Sequence, residues 1–228
     1  MSDHLTEEEQ IENLKRLWKE YGTSVIASVV VASAGYFGWN YWQGAEQRKA
    51  EIASEYYEQI LVAAQSDAAA EGEAEAAGAT VDHLAGQIRD TKPDSFYAAQ
   101  GAFFSAKKAV ESGNLEQAVS ELEWVLANVS DPALLQIARL RLARVQAELG
   151  EFAAASEQLS GQPLVGFESE HAEVQGDVLR LSGDKAAALT AYEKALEKFA
   201  GANQQRQVVL QMKIDNVKPE SALEEPSA

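Results

Sequence analysis

The chain has 228 residues, 46% of them apolar, and carries 36 Asp and Glu against 19 Lys and Arg, a formal charge of −17. That length supports one or two compact domains, and the charge has the wrong sign for phosphate backbones, which argues against nucleic acid as a partner. Cysteine is absent, which removes disulfides, thiolate metal sites and thiol catalysis and leaves the compartment open.

The first element is apolar. From Tyr21 through Ala45 no side chain is ionised, and residues 23–42 read TSVIASVVVASAGYFGWNYW. About 20 helical residues at about 1.5 Å each cover the roughly 30 Å hydrocarbon core of a bilayer. Val25, Ile26, Val29, Val30 and Val31 are poor helix formers in water, but lipid forces every backbone group to be satisfied within the segment. Trp18 and Tyr21 before the run, and Trp39, Tyr41 and Trp42 at its end, are the amphipathic rings that headgroup layers favour at a membrane interface. A transmembrane helix is therefore expected over 23–43, after a short N-terminal segment 1–22. A cleaved signal peptide has a foothold in Ala32-Ser33-Ala34, but its leading region would be net acidic and cleavage would expose Gly35-Tyr36-Phe37; the uncleaved anchor fits better. Lys15, Arg16 and Lys19 precede the span and Arg48 and Lys49 follow it, which orients the N-terminus to the cytoplasm and the body to the far side. Ser24, Ser28, Ala32 and Gly35 recur at helical spacing and form a candidate helix-pairing face in lipid.

The body is rich in Ala, Glu, Leu and Gln, with few β-branched runs and five Pro in the whole chain, a composition that favours helices. Ile52, Tyr56, Ile60 and Ala63 share one face of a helix over 50–64. The low-complexity stretch Ser66 to Ala79, SDAAAEGEAEAAGA, lacks large apolar side chains and reads as a solvated loop or frayed helix end. Self-similarity follows. Gly113, Gly150 and Gly183 are each preceded by seven residues by a small side chain, Ala106, Ala143 and Gly176. Ala118, Ala155 and Ala188 lie five residues after them, and Leu122, Leu159 and Tyr192 nine after. The anchors are 37 and 33 residues apart, close to the period of about 34 of a tetratricopeptide helix-turn-helix repeat. The fold class expected is all-α, with one N-terminal transmembrane helix followed by a tetratricopeptide-like helical repeat domain, an α-solenoid, over 44–217. Its repeats centre on 100–127, 137–162 and 170–197, with a capping helix at 204–217 and a disordered tail at 218–228. An Ala-rich bundle with glycines in its turns is the plainer alternative.

In stacked helix pairs the first helix of each pair lines the concave, binding side. Counting from the small residues that pack inward, this places Lys107, Arg144 and Asp177, with Phe103, Leu140 and Glu173, and with Val110, Ala147 and Arg180, toward the concavity. Phe103, Lys107, Leu140, Arg144 and Arg180 form a candidate partner groove in which cations and apolar side chains would receive a partner's carboxylate. The competing reading is that these cations neutralise Glu111, Glu148 and Glu173 on the surface.

Chemistry for catalysis is missing. His4, His83 and His171 stand without partners at metal-ligand spacing, and no phosphate loop, nucleophile elbow or dinucleotide fingerprint occurs. No catalytic, metal or cofactor residue is assigned, and the chain is expected not to be an enzyme.

The span ending Gly38-Trp39-Asn40-Tyr41-Trp42, the segment LRLARVQAELGE from Leu140 to Glu151, and the ending Gln211-Met212-Lys213-Ile214-Asp215-Asn216 together resemble the YfgM family, ancillary subunits of the bacterial Sec translocon. The resemblance runs from about Glu9 to Val217 and excludes the low-complexity stretch and the tail. It implies a single-pass protein of the bacterial inner membrane, N-terminus in the cytoplasm and C-terminal domain in the periplasm, associated with SecYEG and with a PpiD-like membrane-anchored chaperone. Such a protein would pass translocated client polypeptides to the periplasmic chaperone network, and the family brings no catalytic residues. The rival expectation from the residues alone is an anchored scaffold for envelope assembly or cell division.

Overall fold

The structure, a computed structural model, describes residues 7–66, 71–201 and 203–218. Among them are nine helices and no strand: α1 Glu7–Ser66, α2 Glu71–Thr91, α3 Phe96–Glu111, α4 Leu115–Asn128, α5 Pro132–Glu148, α6 Phe152–Gln158, α7 Glu168–Leu181, α8 Lys185–Glu197 and α9 Gln204–Val217. The chain divides into two units, Met1–Glu51 and Ile52–Ala228, and the division falls inside α1.

In the first unit α1 runs unbroken through the β-branched stretch, and among the described residues it is the one helix long and apolar enough to cross a membrane. Trp18, Tyr21, Trp39, Tyr41 and Trp42 are all exposed, as are Ser24, Ser28, Ala32 and Gly35. The Trp39 and Trp42 rings lie against each other with centroids 5.2 Å apart.

The second unit is built from helix pairs. Pairs α3/α4, α5/α6 and α7/α8 carry the three repeats, and the anchor glycines close each first helix with φ of 78°, 80° and 94° at Gly113, Gly150 and Gly183. This left-handed backbone is accessible to glycine at no steric cost. It lets the next N–H turn back onto the carbonyl five residues earlier, Asn114 to Ala109 at 2.8 Å, Glu151 to Gln146 at 2.8 Å and Asp184 to Leu179 at 2.9 Å, which satisfies carbonyls the helix end would orphan. The same residue then caps the following helix. Asn114 accepts from the Gln117 N–H and Asp184 from the Ala187 N–H. Glu151 is one methylene too long and makes no capping bond, and α6 is a mere seven residues. Shortening the side chain, Glu151→Asp, should raise the thermal midpoint by the equivalent of about 0.5–1 kcal/mol, as a recovered cap does; an unchanged melt would show that α6 is limited elsewhere.

The offsets read from the glycines are the packing contacts. Ala118, Ala155 and Ala188 are fully buried, and Leu122, Leu159 and Tyr192 lie in the core with them. Ala106 shares a cluster with Leu122, and Ala143 shares one with Leu159. Where the large partner is Tyr192, the small residue is Gly176, whose absent Cβ would stand 2.5 Å from the tyrosine ring.

One reading needs correction. Of the stretch Ser66 to Ala79, expected as a solvated loop or frayed helix end, Ser66 closes α1 and residues 71–79 are the first turns of a full helix, α2; residues 67–70 lie outside the description. Alanine is the best helix former, and the segment continues into Val81, Leu84, Ala85 and Ile88, which bury against Ala53 and Ile60 of α1 and Ala98 of α3. The end of α1 and α2 thus precede the three repeats as a further helix pair that no large side chain announces in its first turns.

At the other end α9 docks through Leu210, Ile214 and Val217 and through charge. Lys213 Nζ lies 2.7 Å from both Glu173 and Asp177 of α7, and Arg206 donates to Glu173 at 3.1 Å. The Tyr192 hydroxyl donates to Asp177 at 2.9 Å. Burial, then the Asp177 charge and that hydrogen bond, hold the phenol well above its usual pKa, against an opposing pull from Arg180. The folded state therefore keeps this proton to higher pH than the unfolded chain. Its contribution is whole below about pH 10, where an unfolded tyrosine titrates, and is lost as pH rises beyond it. Tyr192→Phe should remove that part of the alkaline loss, so urea midpoints of parent and variant should converge or cross as pH is raised from about 9 to about 11. A constant difference between them would refute it.

Candidate functional site

The candidate site is a groove of about 630 Å³ between α3 and α5, with Leu122 of α4 in its wall. Both helices are fixed at their starts, α3 by Ser95, whose hydroxyl accepts from the Ala98 N–H at 3.1 Å, and α5 by Asp131 and the Pro132 that follows it. The groove is apolar at its base, where Phe103, Ala106, Leu122 and Val145 are buried, and Val110 stands exposed at its edge.

Three cations rim it, each held differently. Lys107 is exposed and pairs with Glu111 at 3.5 Å along its own helix. Arg144 reaches Glu170 and Asp177 of α7, both at 3.5 Å. Arg141 lies with its guanidinium 4.5 Å from the centre of the Phe103 ring, and among the described residues it has no ion pair. Desolvation lowers its pKa, with Glu170 opposing and Arg144 adding to the effect. The residue as a whole is exposed, so its guanidinium stacks on the aromatic face with N–H groups still open to an incoming anion. From Phe104 in the groove wall a ladder of rings leads off: its centroid lies 6.2 Å from that of Tyr57, which lies 5.6 Å from Tyr97, itself edge-on to the exposed Phe96 at 5.9 Å. The ladder extends the apolar surface away from the cations.

Of the groove residues expected from sequence, Phe103, Lys107 and Arg144 come together here, and Leu140 and Arg180 do not. Leu140 is fully buried, packed with Ala143 and Ala147 against Ala155, Val174 and Val178. Helix α5 has neighbours on both sides in the array, and α6 and α7 take the face on which Leu140 and Ala147 lie. Arg180 sits on α7, exposed, its charge opposing the upward shift of the Tyr192 phenol. Glu173 and Asp177, expected in the same concavity, are occupied by Arg206 and Lys213 of α9. Arg141, two residues before Ala143, was missed because the expected groove took only the offsets of three before, one after and four after the small residue; Phe104, two before Ala106, lines the groove at the same offset. Of the histidines, His171 places Nε2 3.1 Å from the Leu159 carbonyl, His83 is exposed on α2, and His4 lies outside the described residues.

Helix pairs closed by positive-φ glycines, small residues facing large ones across each pair, and an apolar helix ahead of them define a membrane-helix-bearing tetratricopeptide-like protein. Residues 15–219 match the family model of a tetratricopeptide repeat-like domain. Three proteins named ancillary SecYEG translocon subunit are similar over nearly their whole length. The one from Haemophilus influenzae is 30% identical over 217 residues, 95% of this chain and 100% of the relative. That from Aggregatibacter actinomycetemcomitans is 31% identical, with the same shares covered, and that from Escherichia coli is 29% identical over 95% of this chain and 99% of the relative. The chain belongs to this family of ancillary translocon subunits. No solved structure matches it.

Proposed function

We propose that this chain is a non-enzymatic adaptor anchored in the bacterial inner membrane beside SecYEG, with residues 1–22 in the cytoplasm, 23–43 as its span and the repeat domain, 44–217, in the periplasm. There it links polypeptides leaving the channel to a PpiD-like chaperone through protein contacts. The relatives' names support the translocon as partner. Lys15, Arg16 and Lys19 ahead of the span, against Arg48 and Lys49 after it, support the orientation. The observation that carries the adaptor reading is Arg141, exposed and stacked on Phe103 with no ion pair among the described residues, at the rim of an apolar groove in a strongly acidic chain. That site suits a partner segment presenting an acidic side chain next to an apolar one.

A photo-crosslinking amino acid at Gln100, in the groove wall, tests this in native membranes. Discrete products with periplasmic chaperone or channel components are expected, and protease added to spheroplasts should digest the body. Absence of any protein product from the groove, or a body protected from protease, would refute the reading.

A further inference from the structure

Helix α1 holds one register from its water-facing start through the apolar stretch. Ile11, Leu14, Trp18 and Tyr21 are spaced by three, four and three residues. After Val25 the same alternation passes through Ser28, Ala32 and Gly35 and ends on Trp39 and Trp42. An unbroken 3-4 alternation is the a/d seam of a left-handed helix pair. The four residues ahead of the apolar stretch are the informative ones: Ile11 is 54% exposed, Leu14 68%, Trp18 63% and Tyr21 53%. Trp18 and Tyr21 lie where the headgroup layer takes amphipathic rings, and a lone helix leaves Ile11 and Leu14, farther from the span, in water.

The charges fit a seam. Within 9–20, Glu9, Glu12, Arg16, Lys19 and Glu20 occupy the outward b, c and f positions. Lys15 alone flanks the seam at e, and the g position that faces it on a like helix is Gln10, so no like charges meet. The contact surface is also prepared for close approach. Gly22 leaves the space over which the Trp18 indole lies, its absent Cβ 3.2 Å from the ring, so the tryptophan folds along the helix instead of holding a neighbour off. The Ser28 hydroxyl donates to the Ser24 carbonyl at 2.8 Å, so its proton is satisfied within the helix and needs no partner in lipid. The next a and d residues, Glu46 and Lys49, pair with each other at 3.0 Å, and the apolar seam stops there.

We infer that α1 pairs with α1 of a second copy of this chain, parallel and in register from Ile11 to Trp42. Copies inserted alike share depth and direction, so aromatic layers meet aromatic layers at both ends and the small residues meet in the middle. An unrelated helix would have to reproduce that register over about 47 Å, through water and lipid. The inference needs α1 to span a membrane and nothing from the translocon reading.

The absence of cysteine makes the test direct. Single cysteines are placed in the full chain at seam positions, Ser28→Cys and Gly35→Cys, and off the seam, Val30→Cys and Ser33→Cys. Leu14→Cys and Glu12→Cys make the same comparison in the water-facing part. Two differently tagged copies are coexpressed and oxidised in native membranes. Disulfide-linked product carrying both tags should form several-fold more at 14, 28 and 35 than at 12, 30 and 33. Equal yields on and off the seam, or no dimer at any position, would overturn the inference. Seam-dependent loss of dimer in favour of a pairing with some other protein's helix would overturn the choice of a second copy.

Discussion

Gly176→Ala is expected to destabilise the protein by about 2 kcal/mol, although the same change in an open helix position stabilises by about 0.5–1 kcal/mol. The reason is the Tyr192 ring, fully buried and 2.5 Å from where the new methyl would sit. The ring cannot swing aside, because its hydroxyl is tied to Asp177 and Lys213 lies over its face at 5.6 Å. The two earlier repeats show the alternative solution, Ala106 with Leu122 and Ala143 with Leu159. Gly176→Ala combined with Tyr192→Leu should therefore cost less than the sum of the two single changes, with a coupling above about 1 kcal/mol. Urea unfolding of the four detergent-purified proteins measures it. Additivity, or a stabilising Gly176→Ala, would show that the glycine is there for another reason.

The second large effect is on binding. Lys107→Glu with Arg141→Gln should lower the yield of groove cross-links from position 100 about ten-fold, as the loss of charge-assisted contacts does, with little change in melting temperature. Lys107 is exposed and its pair with Glu111 is of the kind worth under about 1 kcal/mol; Arg141 gives up stacking on Phe103 worth about 0.5–1 kcal/mol. Arg144 is left untouched, since a carboxylate there would face Glu170 and Asp177 and disturb the α5–α7 contact. A lower melting temperature with undiminished cross-linking would assign these cations to the fold.

The repeat positions were legible because each rests on a local rule: glycine where φ is positive, and a small residue where two helices touch. Gly113, Gly150 and Gly183 with their offsets Ala118, Ala155 and Ala188 needed no tertiary knowledge. Helix α2 was not legible. Its start is alanine and glutamate, a composition shared by solvated tails and buried helices, and what decides is Ile60 and Ala53 waiting opposite Val81 and Leu84. The groove was half legible. Phe103 and Lys107 follow from α3, whose packing matches a simple helix pair. Transferring the same offsets to α5 failed at Leu140, because α6 and α7 cover that side, and to α7 at Glu173 and Asp177, because α9 lies on it. How many neighbours a helix has is set by the whole array and leaves no mark at fixed spacing in one repeat.

An anchored repeat protein that works as an adaptor at the translocon should be held by the channel in native membranes. Affinity purification of the full chain from native membranes in mild detergent tests it most directly: the SecYEG channel should be recovered with it, together with a membrane-anchored periplasmic chaperone. Recovery of division or wall-synthesis proteins, with the channel absent, would contradict the account and favour an envelope scaffold.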